Sequence, residues 1–148
     1  MSLDVLKAIK KGDVLHLRHY LESGSDPDYP DSLRRSEATL LMYAAQVGNT
    51  AIGSELISHG ASLDAHDSHG WTALNMAVHT GHIQFVELLL DAGASLDGHA
   101  FRGPIEDFFE WSLTYGTGTK EAMSKIKPIM ESARLKLVQC AAKPDPNE

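Results

Sequence analysis

The residues with chemical potential in this chain are its histidines. Six of the eight lie between residues 36 and 100: His59, His66, His69, His79, His82 and His99. The spacings His66-x-x-His69 and His79-x-x-His82 bring two imidazoles within reach of one divalent ion. A tetrahedral site needs further ligands at accepted spacing, and neither a cysteine nor a fixed carboxylate supplies them here. The signatures of other chemistries are missing too: no H-E-x-x-H pair, no nucleophile elbow and no glycine loop built to cradle phosphate. The expectation is therefore a chain that is not an enzyme and takes no cofactor, with a histidine-based metal protein as the alternative. One residue points elsewhere. Trp71 stands between a turn glycine, Gly70, and a helix-capping threonine, Thr72. Tryptophan in such a place either packs on an adjacent loop or anchors a partner, since exposed tryptophan dominates interface hot spots.

The elements that position these residues run from Asp67 to Leu96, DSHGWTALNMAVHTGHIQFVELLLDAGASL. Gly70 suits a left-handed turn residue, and Thr72 caps a short helix whose small apolar stripe is Ala73, Leu74, Ala77 and Val78. Gly81 stops that helix. A second begins after His82, with Ile83, Val86, Leu89 and Leu90 on one face, and Gly93 ends it. Two helices this short cannot bury their apolar faces alone.

Copies of the unit supply the missing cover. Gly81, Gly93, Ala94, Ser95, Leu96 and Asp97 recur 33 residues earlier as Gly48, Gly60, Ala61, Ser62, Leu63 and Asp64. TALNMA (Thr72 to Ala77) is matched by TLLMYA (Thr39 to Ala44), and GASLD occurs twice. The period and these motifs resemble the ankyrin repeat, over roughly residues 1 to 98. The family pattern T-P-L-H-x-A lacks its proline and histidine here, which implies less rigidly fixed helix starts. The resemblance implies an all-α-dominated solenoid of about four helix-turn-helix units with β-turn fingers, the first and last being degenerate caps. It also implies a structural role for His82, because the family commonly has histidine at that helix start.

The other segments fit this scheme. In residues 3 to 24, Leu3, Leu6 and Ile9 line one helix, and Val14, Leu17, Tyr20 and Leu21 match the third unit's second helix, with Lys7, Lys10, Lys11 and Arg18 facing water. The step from Gly24 to Gly60 exceeds the repeat by three residues, within DYPDSLRRSEAT. That insertion is either a tolerated loop, which costs little closure entropy, or an extended binding finger. Thr50 and Gly53 replace apolar residues, and a mid-helix glycine costs about 1 kcal/mol relative to alanine. Close packing of Tyr20 or Phe85 would account for it. After Asp97 the pattern degrades: Phe108, Phe109 and Trp111 sit where small residues belong and would block further stacking. A last helix follows, bent at Pro128, with Met123, Ile126, Ile129, Met130, Ala133 and Leu137 inward. One domain over residues 1–142 is expected, in units of about 2–28, 29–63, 64–96 and 97–142, then a disordered tail at 143–148.

The net charge of −7 is localised. Residues 36 to 100 hold no Lys or Arg against seven carboxylates: Glu37, Glu55, Asp64, Asp67, Glu87, Asp91 and Asp97. That surface disfavours nucleic acid and suits a protein partner with a basic face. The start, MSLDVLKAIKKG, lacks the pattern of a secretory signal, no segment is long enough to span a membrane, and one cysteine excludes an internal disulfide. A cytoplasmic monomer is expected. By resemblance, the binding surface comprises the fingers and the inner helix face. It recruits His66, Ser68, His69, Trp71, His79 and Thr80 from the third unit, and Tyr29, Arg35 and Gln46 from the second, with Phe101 and Arg102 extending the row. The function implied is a non-catalytic protein-interaction module; an inhibitor or immunity-type protein that masks a partner is the sharper alternative.

Overall fold

The computed structural model describes residues 3–28, 37–96 and 105–141, which form eight helices and, among these residues, no strand. They are α1 (Leu3–Lys11), α2 (Val14–Glu22), α3 (Leu40–Val47), α4 (Thr50–Ser58), α5 (Ala73–Thr80), α6 (Ile83–Asp91), α7 (Ile105–Tyr115) and α8 (Lys120–Ala141). Two layers result. In one, α1 packs on α3, α3 on α5 and α5 on α7; in the other, α2 packs on α4, α4 on α6 and α6 on α8. This is the expected helix-turn-helix solenoid. The insertion with Tyr29, Arg34 and Arg35, the segment with Phe101 and Arg102, and the tail at 143–148 lie outside the described residues.

The helix ends follow from the residues that punctuate them. Thr39 and Thr72 cap α3 and α5, and Gly48 and Gly81 close those helices in the left-handed conformation at φ 72° and 76°. The start of α5 is better fixed than the missing proline and histidine imply. Asn75 is buried, its Oδ1 accepts both the Thr72 N–H and the Thr72 hydroxyl at 2.9 Å, and its own N–H donates to Thr72 Oγ1 at 3.3 Å. Such reciprocal bonding satisfies donors that a helix start otherwise leaves open. In α3 the thioether of Met42 takes the same place, 3.4 Å from the Thr39 N–H.

Stacking is set by contacts that repeat from unit to unit. Leu17, Ile52, Leu56, Val86 and Leu89 are fully buried between the helices of the second layer. Each such side chain contributes about 1.5–3 kcal/mol relative to exposure. At Gly53, α4 packs closely on α6: a Cβ there would lie 2.7 Å from Phe85 Cε2 and Cζ, so the ring of Phe85 occupies the space a side chain would need. Of the two candidates the sequence offered, Phe85 is the one. His82 makes no capping bond; its ring lies against Gly48, and its Nε2 donates to the Gln46 carbonyl at 3.2 Å. Its role is to join two units. The loops are joined as well. Asp28 accepts from the Ser62 N–H at 2.9 Å with both oxygens, and Asp64 accepts from the Ser95 N–H at 2.8 Å.

The C-terminal helices close the array. Phe108 and Phe109 are buried, as are Met123, Ile126 and Met130. The helix α8 continues through Pro128 as one element. Leu137, expected inward, is 55% exposed, and Leu135 and Val138 are exposed beside it. The inward stripe therefore ends before the helix does.

Candidate functional site

The loop that carries Trp71 is built around one side chain. Asp67 is only 7% exposed, and its Oδ1 accepts the N–H of His69 at 2.8 Å and of Trp71 at 2.9 Å. The backbone closes the same loop: Asp67 N–H donates to Trp71 O at 3.0 Å, and Gly70 N–H donates to Asp67 O at 2.9 Å. A side chain bonded to backbone two and four residues on fixes a turn without a strand ladder. The result aims the Trp71 ring inward over α5 and α7, not outward from a fingertip.

There it joins an aromatic cluster. Its centroid lies 5.0 Å from His79 and 5.1 Å from Phe108, both edge-on, and 6.0 Å from Trp111 at 88°. His79 stacks on Trp111 at 5.4 Å and 19°, and Tyr115 continues the row 5.6 Å beyond Trp111. Edge-on and offset arrangements are the favoured geometries for such rings. The turn between α7 and α8 holds α7 in place, with Thr117 and Gly118 N–H groups donating to the His79 carbonyl at 3.0 and 3.1 Å. Gly118 is required by proximity, since a Cβ there would lie 2.8 Å from Gly81 Cα. Burial pushes the His79 imidazole below the usual histidine range, and its Nδ1 is enclosed without a hydrogen-bond partner. The neutral ring is therefore the form the cluster holds.

A groove of about 420 Å³ opens beside the cluster, lined by Gln46, Asp67, His69, Trp71, Met76, His79, Thr80 and Trp111. Five residues named from the sequence thus meet in one place: Gln46, His69, Trp71, His79 and Thr80. His66 and Ser68 are exposed on the same loop but do not line the groove; Ser68 Oγ lies 3.3 Å from His69 Nδ1. Trp71 is half-buried and forms part of the groove wall, packed on its neighbours. Asp67, Met76 and Trp111 were not expected. Asp67-x-x-Gly70 is a turn signal that could have flagged the first, whereas Trp111 lies where the repeat register is lost. A larger groove of about 830 Å³ runs between α6 and the second half of α8, mostly aliphatic, with Glu87, Asp91 and Lys136 among its lining residues. It contains none of the binding residues expected from the sequence.

The acidic centre is less open than its composition implies. Glu55 accepts two bonds from Arg18, at 2.8 and 2.9 Å, and these hold its carboxyl below the usual carboxylate range. Asp64 and Asp67 serve backbone N–H groups, as above. Glu37, Asp64, Glu87 and Asp91 are the exposed members, and Asp97 lies outside the described residues. No group of three or more His, Cys, Asp or Glu that could hold a metal ion occurs among the described residues. No helix among them is long and apolar enough to cross a membrane.

Comparison with known proteins adds a family. A family model described as ankyrin repeats (3 copies) matches residues 5–99. The chain is 33% identical over 101 residues to ankyrin repeat and SAM domain-containing protein 6 of Mus musculus, covering 68% of this chain and 11% of that protein. It is 34% identical over 98 residues to SH3 and multiple ankyrin repeat domains protein 2 of Homo sapiens, covering 66% and 5%. To palmitoyltransferase Hip14 of Drosophila melanogaster it is 36% identical over 94 residues, covering 63% and 14%. The chain thus spans between 5% and 14% of the length of these three relatives. The family match ends at residue 99, so Trp71 and His79 lie inside it, whereas Trp111, which stacks on His79, lies outside.

Proposed function

Because the chain belongs to the ankyrin repeat family, whose arrays are protein–protein interaction modules, we propose that it works by binding a partner polypeptide in the Trp71–Trp111 groove, without catalysis of its own. The observation that carries this reading is convergence. Gln46 of α3, the 67–71 loop, the end of α5 and Trp111 of α7 form one concave wall from three successive units. Pockets that bind ligands are concave, mostly apolar and furnished with a few placed polar groups, and this groove has that composition. Tryptophan and methionine are also the side chains most enriched where proteins meet.

The test is a comparison of faces. The immobilised chain captures a partner from a lysate of its source, and the affinity of the purified partner is measured for variants. Gln46→Trp, at an exposed position, fills the groove, and His69→Ala trims its rim; Ser54→Ala and Gln84→Ala alter exposed positions of α4 and α6 in the other layer. The proposal expects at least about a tenfold loss from Gln46→Trp, equivalent to 1.4 kcal/mol, and none from the second pair. Loss confined to Ser54→Ala and Gln84→Ala would place binding on the opposite layer.

A further inference from the structure

We infer that the groove receives a cationic side chain of its partner, a lysine or arginine. The inference rests on the groove being the partner site and adds the chemistry of what enters it. Three observations carry it. The walls are π-rich: two indoles and an imidazole meet within about 6 Å of one another, with the thioether of Met76 beside them. A cation over an indole face is attracted by the ring quadrupole, more strongly as water is excluded. The one ionisable oxygen group in the wall is acidic. Asp67 Oδ1 is taken by two backbone N–H groups, while Oδ2 faces the His69 ring, whose Nδ1 is 3.6 Å away. Among the described residues no lysine or arginine lines the groove, and the sequence has none between residues 36 and 100. Arg18, in another unit, is committed to Glu55 on the other layer.

Size and charge then select among occupants. About 420 Å³ is near the small end of ligand pockets, room for one long side chain and its flanking backbone but not for a helix. An acidic side chain would meet Asp67 with no described lysine or arginine to receive it. A purely aliphatic one would offer the charge of Asp67 nothing beyond its two backbone N–H bonds, whereas a cationic head adds compensation. A long side chain with an alkyl stem and a charged end satisfies both the apolar walls and the carboxylate.

A phage-displayed random dodecapeptide library, panned against the full chain near neutral pH, tests this. The strongest peptide is then synthesised with its shared basic residue intact or replaced by norleucine. Binding is followed by the two tryptophan indole N–H signals of the ¹⁵N-labelled chain, since Trp71 and Trp111 are its two tryptophans. The expected result is a shared Lys or Arg, both indole signals moving, and about a tenfold or greater loss on replacement by norleucine. Gln46→Lys should weaken binding and Gln46→Glu strengthen it, at an exposed position that tolerates either. Asp67→Asn keeps an oxygen for the two N–H groups while removing the charge, and should weaken binding several-fold. A selection without enrichment of basic residues overturns the inference; if its peptides still move the indole signals, the groove stands as the partner site. Basic peptides that bind without moving either signal overturn both.

Discussion

Placing a methyl group on Gly53 should destabilise this protein, although helix propensity alone says the reverse. Gly53 lies inside α4, where alanine is favoured over glycine by about 1 kcal/mol. Against that gain stands the ring of Phe85. The new Cβ would lie 2.7 Å from Cε2 and Cζ and 3.0 Å from Leu88 Cδ2, whereas unstrained carbon contacts are about 3.5–4.0 Å. Phe85 is fully buried, so the ring has no solvent to retreat into. Overpacking of this kind costs about 1–3 kcal/mol, and contacts this short call for the upper part of that range. The net expectation for Gly53→Ala is a loss of about 1–2 kcal/mol, or a fall in Tm of roughly 2–8 °C. In a Phe85→Leu background the same change should be neutral or stabilising, giving a coupling energy of about 2 kcal/mol. Urea unfolding of the four proteins of this cycle measures it. A rise in Tm for Gly53→Ala alone, or an equal shift in both backgrounds, would refute the packing argument.

Further perturbations follow the same logic. Leu89→Ala, at a fully buried position, should cost about 2–5 kcal/mol by denaturant unfolding, whereas Leu135→Ala, 61% exposed, should stay within about 0.5 kcal/mol. Trp71→Ala should cost about 2–3 kcal/mol, because it removes contacts to three rings, and Trp71→Phe should keep much of that. A Trp71→Ala protein with an unchanged Tm would return Trp71 to the role of an exposed anchor. His79 sets a pH dependence whose sign is fixed: its folded pKa is depressed, so the unfolded chain binds the proton more readily. The stability His79 allows is complete above its ordinary value of about 6.5 and is lost as pH falls from there through the lower folded value. His79→Phe should flatten that acid-side slope in unfolding midpoints measured across pH; an unchanged slope would remove His79 from the account.

The fold was legible because the signals that encode it are local and repeated. Gly81 and Gly93 end helices for the same conformational reason as Gly48 and Gly60, and one period carries all four. Even the oddity at Gly53 could be read, since a missing side chain in a stripe implies a large neighbour. Part of the site came through the same register: Gln46 and His79 occupy equivalent places 33 residues apart and line one groove. Three features were not legible, each for a physical reason. Trp111 follows Asp97, where the period fails and no register places it. The direction of Trp71 depends on a carboxylate bonding two backbone groups, and composition cannot distinguish that Asp67 from a solvated charge. The acidic centre looked unopposed because Arg18, which pairs with Glu55, lies 37 residues away in another unit.

The proposed partner lies against the layer of α3, α5 and α7. A photo-crosslinking residue placed at Gln46, on that layer, and separately at Ser54, on α4, reports this in the complex without assuming any particular contact. A covalent adduct with the partner is expected from position 46, suppressed by competition from a groove-binding peptide, and none from position 54. An adduct from position 54 with none from position 46 would contradict it.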